Sequence, residues 1–223
     1  MMRAKKAVKN FIFWVSISIV VNFIVFIIWG KESALEYLGG YVVELSLSVD
    51  NLFLFLMIFT SFNIPQEYQK RVLTYGIIGA MILRFIFIFL GITIINNFHF
   101  VTYIFSVILI FSGFKMMIKE DDDSTNYSDK KIVKFLKGII PFTDEIEGEY
   151  FFIRKNNKLY ATPLFLILLL IESSDIIFAM DSIPAIFSIT TNAVIVYLSN
   201  IFAIIGLRLS LIHISEPTRQ EAI

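Results

Sequence analysis

Five carboxylates lie inside long apolar stretches of the chain. They are Glu44, Asp50, Glu172, Asp175 and Asp181. An ionised side chain at the centre of a bilayer costs about 2.5–3.5 kcal/mol on insertion scales, so such groups mark ion or proton pathways. Arg84 is the one basic residue in the middle of an apolar run, too few to pair with all five acids. We therefore predict a cation site, against the alternative that single acids are protonated or paired only for structure.

The same arrangement of acids occurs twice. Glu44-Leu-Ser-Leu-Ser-Val-Asp50-Asn51 and Asp175-Ile-Ile-Phe-Ala-Met-Asp181-Ser182 each read as an acid, five residues, Asp and a small polar residue. Such a weak internal echo is typical of transporters with duplicated halves. Helical residues six apart differ by about 9 Å along the axis and about 120° around it. The two acids of one helix therefore cannot both coordinate the same ion. We expect two antiparallel copies that set Glu44 level with Asp181, and Asp50 level with Asp175.

The chemistry of these groups favours a hard divalent cation. The chain has no Cys, and carboxylates suit Mn²⁺, Mg²⁺ or Ca²⁺ better than Zn²⁺ or Cu⁺. Arg84 is predicted to hold a carboxylate ionised, to refill the site when the metal leaves, or to form a purely structural ion pair. Pro184 is expected to break or kink its helix, and Gly39-Gly40 to give the first copy similar freedom. Neighbouring hydroxyls could supply further oxygens or position the acids: Ser46, Ser48, Ser173, Ser174 and Ser182.

The composition indicates elements that cross a membrane. Of the 223 residues, 57% are hydrophobic and 17% charged, with a mean hydropathy of +0.77, whereas soluble domains carry about 25% charge. A helical span needs about 20 apolar residues. Six runs approach or exceed that length: 11–29, 34–62, 72–95, 98–118, 159–189 and 193–207. The sequence thus predicts an all-α, polytopic bundle of transmembrane helices.

The loops between these runs predict the orientation. Four basic residues precede the first run, two follow the second, and nine lie in 115–158, whereas the alternate loops hold only Lys31. Because cytoplasmic loops are enriched in Lys and Arg, we predict a cytoplasmic N-terminus and a cytoplasmic 119–158 loop. This loop mixes acidic and basic residues, and we interpret it as a solvated linker with a short amphipathic helix near 132–138.

Several of these motifs resemble the TerC family of bacterial integral membrane proteins. The resemblance covers about 34–208 and rests on the Glu44–Asn51 and Asp175–Ser182 phrases, the Gly79–Arg84 segment, and above all Asp181-Ser182-Ile-Pro184. The closing segment Ser199-Asn200-Ile-Phe-Ala-Ile-Ile-Gly206-Leu-Arg208 is also similar. The family is named for tellurium resistance, and several members are linked to manganese export.

The resemblance implies a fold like that of the LysE-type exporters, with inverted three-helix repeats. It implies metal binding by Glu44, Asp50, Asp175 and Asp181. The residues expected to support these four are Asn51, Ser182, Arg84, Glu172, Asn200 and Arg208.

We divide the chain accordingly into five segments. Residues 1–33 form an arm and an extra helix, 34–118 a first three-helix repeat, 119–158 the loop, 159–208 an incomplete second repeat, and 209–223 a tail. The tail becomes polar and resembles read-through of a sequencing adaptor, so we expect it to be non-native and the second repeat to lack its last helix.

These observations predict a transporter in the bacterial inner membrane that exports a divalent cation, with Mn²⁺ favoured as cargo. The alternative is a membrane partner for tellurite-resistance complexes or for the assembly of exported and membrane proteins. We expect no enzymatic activity, since no Gly-x-Gly-Asp of an intramembrane aspartyl protease surrounds either Asp. The expected partners are the bilayer, the ion, further copies or other proteins, without nucleic acid, and no permanently bound cofactor is expected.

Overall fold

A computed structural model describes residues 2–118, 138, 141–143, 146, 148–155 and 157–215. The elements in chain order are α1 (Met2–Ser61), α2 (Gln66–Asn97), α3 (Val101–Ile118), β1 (Phe152–Lys155), β2 (Lys158–Ala161), α4 (Pro163–Phe187) and α5 (Ala193–Ser215). The amphipathic helix predicted near 132–138 lies outside the described residues except for Gly138, as does the chain after Ser215.

Helix α1 is bent at Gly30 and contains the first two predicted runs. Gly30 has φ 87° and ψ −176°, a backbone conformation that residues with a Cβ rarely adopt. The two arms touch across this bend, where the Ser18 and Tyr37 hydroxyls are 2.8 Å apart and buried. The bend therefore folds one long apolar segment back onto the bundle.

The prediction of several apolar helices is confirmed. Val8–Ser61, Gln66–Asn97 and Pro163–Phe187 are long and apolar enough to cross a membrane, and Val101–Phe111 and Ala193–Leu209 are shorter apolar helices. Helix α5 packs most extensively against α1 and also contacts α2, while α4 lies against α1 and α2. Helix α3 packs lightly against α4 and still less against α2, and Tyr103 and Phe111 on it are more than two thirds exposed.

The helices do not break at Pro184 or at Gly39-Gly40, where the sequence predicted a break or added freedom. Helix α4 continues past Pro184 to Phe187, where the Ser188 N–H donates to the Pro184 carbonyl. The Gly39-Gly40 pair stays helical, and a Cβ on Gly40 would lie 2.7 Å from Ser199 Oγ. The pair thus permits close packing on α5, and Gly30 supplies the bend.

A small hairpin modifies the all-α prediction. Strands β1 and β2 pair antiparallel, with Phe152 opposite Ala161 and Lys155 opposite Lys158, and Phe142 forms a parallel bridge to Ala161. Its turn uses Asn157 at φ 62°, a conformation that Asn tolerates. The apolar run predicted to begin at 159 is therefore partly strand, and the membrane helix begins at Pro163.

Candidate functional site

Glu44 is the centre of a buried polar network. Its side chain is fully buried, and it accepts hydrogen bonds from Ser48 Oγ at 2.7 Å, Arg84 Nη1 at 2.8 Å and Asn200 Nδ2 at 2.9 Å. Arg84 Nη1 also donates to Ser182 Oγ at 2.8 Å. A buried charge is tolerated only when it is paired and hydrogen-bonded, and both conditions hold here. The network joins α1, α2, α4 and α5.

A second buried ion pair links α4 and α5. Arg208 Nη2 donates to Asp175 Oδ1, and Arg208 Nη1 donates to the Gly76 carbonyl at 2.7 Å. The guanidinium also lies over the Phe55 ring, 4.8 Å from its centroid. Arg208 lies inside α5, which continues to Ser215, and its side chain is buried. The sequence prediction counted one mid-helix arginine, whereas the structure has two.

Helical periodicity explains which side chains enter the network. Residues seven apart on a helix differ by only about 20° in azimuth, and the buried residues Glu44 and Asn51 have this spacing, as do Asp175 and Ser182. In each copy of the repeated phrase, the residue after the second acid therefore shares the inward face with the first acid.

Asp50 and Asp181 consequently lie off this face. Asp50 is exposed and Asp181 half-buried, and neither carboxylate has a hydrogen bond or ion pair with any residue that the structure describes. Within the described ranges, no three acidic or His side chains are grouped closely enough to hold a metal ion. The four-carboxylate arrangement of Glu44, Asp50, Asp175 and Asp181 is therefore not assembled in this conformation, and the role of each in metal binding stays a prediction.

A small cavity separates the two ion pairs. Its volume is 10 Å³, room for about one water molecule or a bare cation. Its polar lining comes from Ser48, Asn51, Arg84, Asp175 and Arg208. Asn51 Oδ1 and Asp175 Oδ2 are buried without a hydrogen-bond partner in the described part of the chain. Unpaired buried oxygens are rare in folded proteins, and oxygen atoms are the ligands that hard cations prefer.

Glu172 lies beside this network with both carboxylate oxygens buried and unpaired among the described residues. Its oxygens press against α2, so closely that a Cβ on Gly79 would meet Oε2 at 2.6 Å. The glycines at 76 and 79 leave the space that this carboxyl occupies. Small residues permit close helix contact here, and the Glu172 carboxyl fills the gap.

The other predicted oxygen donors divide into two groups. Ser48 and Ser182 join the network directly. The hydroxyls of Ser46, Ser173 and Ser174 donate to carbonyls of their own helices at Val42, Leu169 and Leu170. These three hydroxyls therefore form hydrogen bonds within their own helices, and they do not line the cavity.

Comparison with known proteins assigns the family. The sequence model of the family described as "Integral membrane protein TerC family" matches residues 29–217. The chain belongs to the TerC family. The match includes both acid phrases, Arg84 and Arg208, and it extends beyond residue 209, where the non-native tail was predicted to begin.

Bacterial TerC relatives share much of this chain. A protein of Salmonella typhi named "Putative membrane-bound redox modulator Alx" is 46% identical over 217 residues, covering 93% of this chain and 66% of the relative. The protein of that name in Escherichia coli (strain K12) is 52% identical over 175 residues, covering 78% and 54%. An "Uncharacterized membrane protein" of Rickettsia bellii is 44% identical over 210 residues, covering 93% and 68%.

The chain spans 54% to 66% of the length of the Alx relatives just described. No solved structure matches it significantly. The family match and these relatives identify a multi-pass integral membrane protein with bacterial homologues.

Proposed function

We propose that this TerC protein exports a divalent metal cation, with Mn²⁺ as the favoured cargo, through a carboxylate-lined path between two inverted repeats. The observation that carries the proposal is the small cavity between the two ion pairs, where two buried oxygens have no donor among the residues that the structure describes. Both oxygens belong to residues of the repeated acid phrases. A bound cation would coordinate both oxygens, neither of which accepts a hydrogen bond in the described part of the chain.

The pairing of acids with arginines supports a duplicated architecture. In one half, Glu44 on α1 pairs with Arg84 on the following helix, 40 residues later. In the other half, Asp175 on α4 pairs with Arg208 on the following helix, 33 residues later. The halves also interlock, because Asn200 donates to Glu44 and Arg208 donates to the Gly76 carbonyl. A similar acid–arginine pair in each half is what a duplication of one unit would leave.

The arginines can act as tethered cations. In the conformation described above, Arg84 and Arg208 neutralise Glu44 and Asp175, so the path is closed and electrically balanced. An entering metal ion would compete for the same carboxylates, and each guanidinium would then move to another acceptor. Ser182 Oγ already accepts from Arg84, and the Gly76 carbonyl from Arg208. Asp50 and Asp181, which lie off the inward face, would serve as ligands along the entry and exit routes.

The remaining features of the proposal come from the sequence. Carboxylate, amide and hydroxyl oxygens without thiols fit Mn²⁺ better than Zn²⁺ or Cu⁺. The Lys and Arg distribution predicts that the N-terminus and the 119–158 loop are cytoplasmic, so export would carry the ion away from that side.

Transport is tested by manganese accumulation in cells that express the protein and are loaded with Mn²⁺. We expect Asp175→Asn and Glu44→Gln to abolish the lowering of cellular manganese, because each removes a charge from the path. Glu32→Gln is the matched control, since Glu32 is exposed and has no contact in the network. Membrane levels of each variant are measured in parallel to separate lost transport from lost protein.

Asp50→Asn and Asp181→Asn test the outer acids. Under the proposal both variants lower export while leaving the ion-pair network intact. If all four neutral variants are present at normal levels and still lower cellular manganese like the wild type, the carboxylate path is wrong.

The name of the Alx relatives, "Putative membrane-bound redox modulator Alx", favours redox modulation as a second candidate function. The 223 residues contain no Cys, so thiol chemistry within this segment is excluded, and such a role would act through a partner. An assembly role of this kind predicts that the neutral carboxylate variants keep activity, whereas changes in the 119–158 loop abolish it.

A further inference from the structure

The hairpin β1–β2 lies directly at the end of a membrane helix. Strand β2 ends at Ala161 and α4 begins at Pro163, with the Thr162 hydroxyl donating to the Tyr150 carbonyl at 2.7 Å. This bond and the antiparallel ladder leave little freedom between hairpin and helix. The hairpin is therefore held where the apolar helix meets the polar loop.

Aromatic contacts set the hairpin against the sides of two apolar helices. Phe152 packs on Phe165 of α4, with ring centroids 4.4 Å apart, and Phe151 packs edge-on against Tyr75 of α2 at 5.1 Å. Arg71 of α2 lies over the Phe151 ring and pairs with Glu149 at 3.2 Å. Aromatic residues of this kind are enriched where membrane helices cross the headgroup level.

One face of the hairpin is both apolar and cationic. Register places Arg154 opposite Leu159, on the face that also carries Phe152. Leu159 is 62% exposed and Phe152 43%, and Arg154 is exposed without an ion pair to the described residues. Lys158, paired with Lys155 next to the turn, is also exposed but lies on the opposite face. The exposed apolar area continues onto α2 through Tyr75 and Ile78.

We propose that this face of the hairpin docks on anionic lipid. Phe152 and Leu159 enter the headgroup region, and Arg154 binds a lipid phosphate. Two observations favour lipid over a protein partner: the apolar area continues along a membrane-facing helix, and the exposed Arg154 lies between the two apolar side chains on the same face. Each basic residue near an anionic leaflet strengthens attachment about fivefold, the equivalent of about 1 kcal/mol.

The experiment uses a spin label at a unique cysteine. Because the chain has no Cys, Leu159→Cys in the full chain gives a single site, and the protein is reconstituted in nanodiscs of phosphatidylcholine or of phosphatidylcholine with phosphatidylglycerol. Power saturation measures how far molecular oxygen and a water-soluble nickel chelate reach the label. In the anionic discs we expect the label to be open to oxygen and shielded from nickel.

The charge variant Arg154→Gln tests the role of the cation. We expect it to lower the ratio of buried to aqueous label about fivefold in anionic discs and to leave the phosphatidylcholine result unchanged. A label at Thr102, which is exposed in the first turn of α3, controls for general effects of lipid composition.

Two outcomes would overturn the proposal. If the nickel chelate reaches the label freely in both kinds of disc, the face stays in water. Equal shielding in anionic discs, phosphatidylcholine discs and detergent would mean that another part of the chain covers the face. Neither outcome bears on metal export, because the hairpin and the cavity are tested by different readouts.

Discussion

Glu44 and Glu172 are two glutamates in apolar helices with opposite surroundings. Glu44 accepts from three side chains on three helices, including the charged Arg84. Glu172 has neither oxygen paired among the described residues. The first carboxylate is therefore an integral part of the bundle's electrostatics, whereas the second contributes no hydrogen bond to it.

This difference predicts unequal costs for the same chemical change. Glu44→Gln leaves Arg84 buried without a counter-charge, which costs about 3–5 kcal/mol when a buried pair is broken. Glu172→Gln removes no hydrogen bond, and we expect a change below about 1 kcal/mol. Thermal unfolding of both purified variants in detergent measures the difference. If both variants are equally destabilised, Glu172 accepts hydrogen bonds from groups outside the described residues.

At the scale of elements, the contact between α2 and α4 depends on glycine. The Glu172 carboxyl fills the space beside Gly79, where a Cβ would meet it well inside van der Waals distance. Because interiors are packed to near-crystalline density, an added methyl group must displace its neighbour. The two helices approach closely only while residue 79 has no side chain.

Gly79→Ala is therefore expected to destabilise the protein by about 1–3 kcal/mol, the range for overpacking a core. Glu172→Ala in the same chain opens the space, so the double variant should regain most of that loss. Thermal unfolding in detergent of the two single variants and the double variant measures the coupling. Gly113→Ala is the matched control, because a Cβ there meets nothing within 4 Å. Additive losses would show that the two residues do not share the space.

At the scale of the whole molecule, charge is balanced by pairing across helices. Arg84 and Arg208 on α2 and α5 face Glu44 and Asp175 on α1 and α4. Removal of one partner leaves a buried charge, whereas removal of both leaves a neutral interior. Replacement of a whole buried pair is often tolerated for this reason.

The double variant Glu44→Gln with Arg84→Gln is thus expected to recover most of the stability that either single variant loses, because the unpaired charge is gone. Under the proposed function it should not recover manganese export. Thermal unfolding and cellular manganese, measured on the same variants, separate the two roles. Recovery of both stability and export would mean that this pair is only structural.

Much of the fold follows from local patterns. Apolar runs of about 20 residues can cross a membrane only as helices or closed barrels, which is why the six runs became helices. The β-hairpin was missed because Leu159, Tyr160 and Ala161 read as the start of the fifth apolar run. The predicted break at Pro184 is wrong, because α4 continues to Phe187; proline is tolerated inside membrane helices where neighbouring groups satisfy the freed carbonyl.

The sequence by itself determined the helices, the acids they carry and the repeated phrase, since these depend on composition and on spacing along one chain. Only the tertiary structure decided which acids face inward and what they meet. Asn200 reaches Glu44 across 156 residues, and Arg208 reaches Asp175 once α5 packs against α1 and α2. The physical reason is that spacing sets the angle between two side chains on one helix, whereas packing against neighbouring helices sets where both of them point.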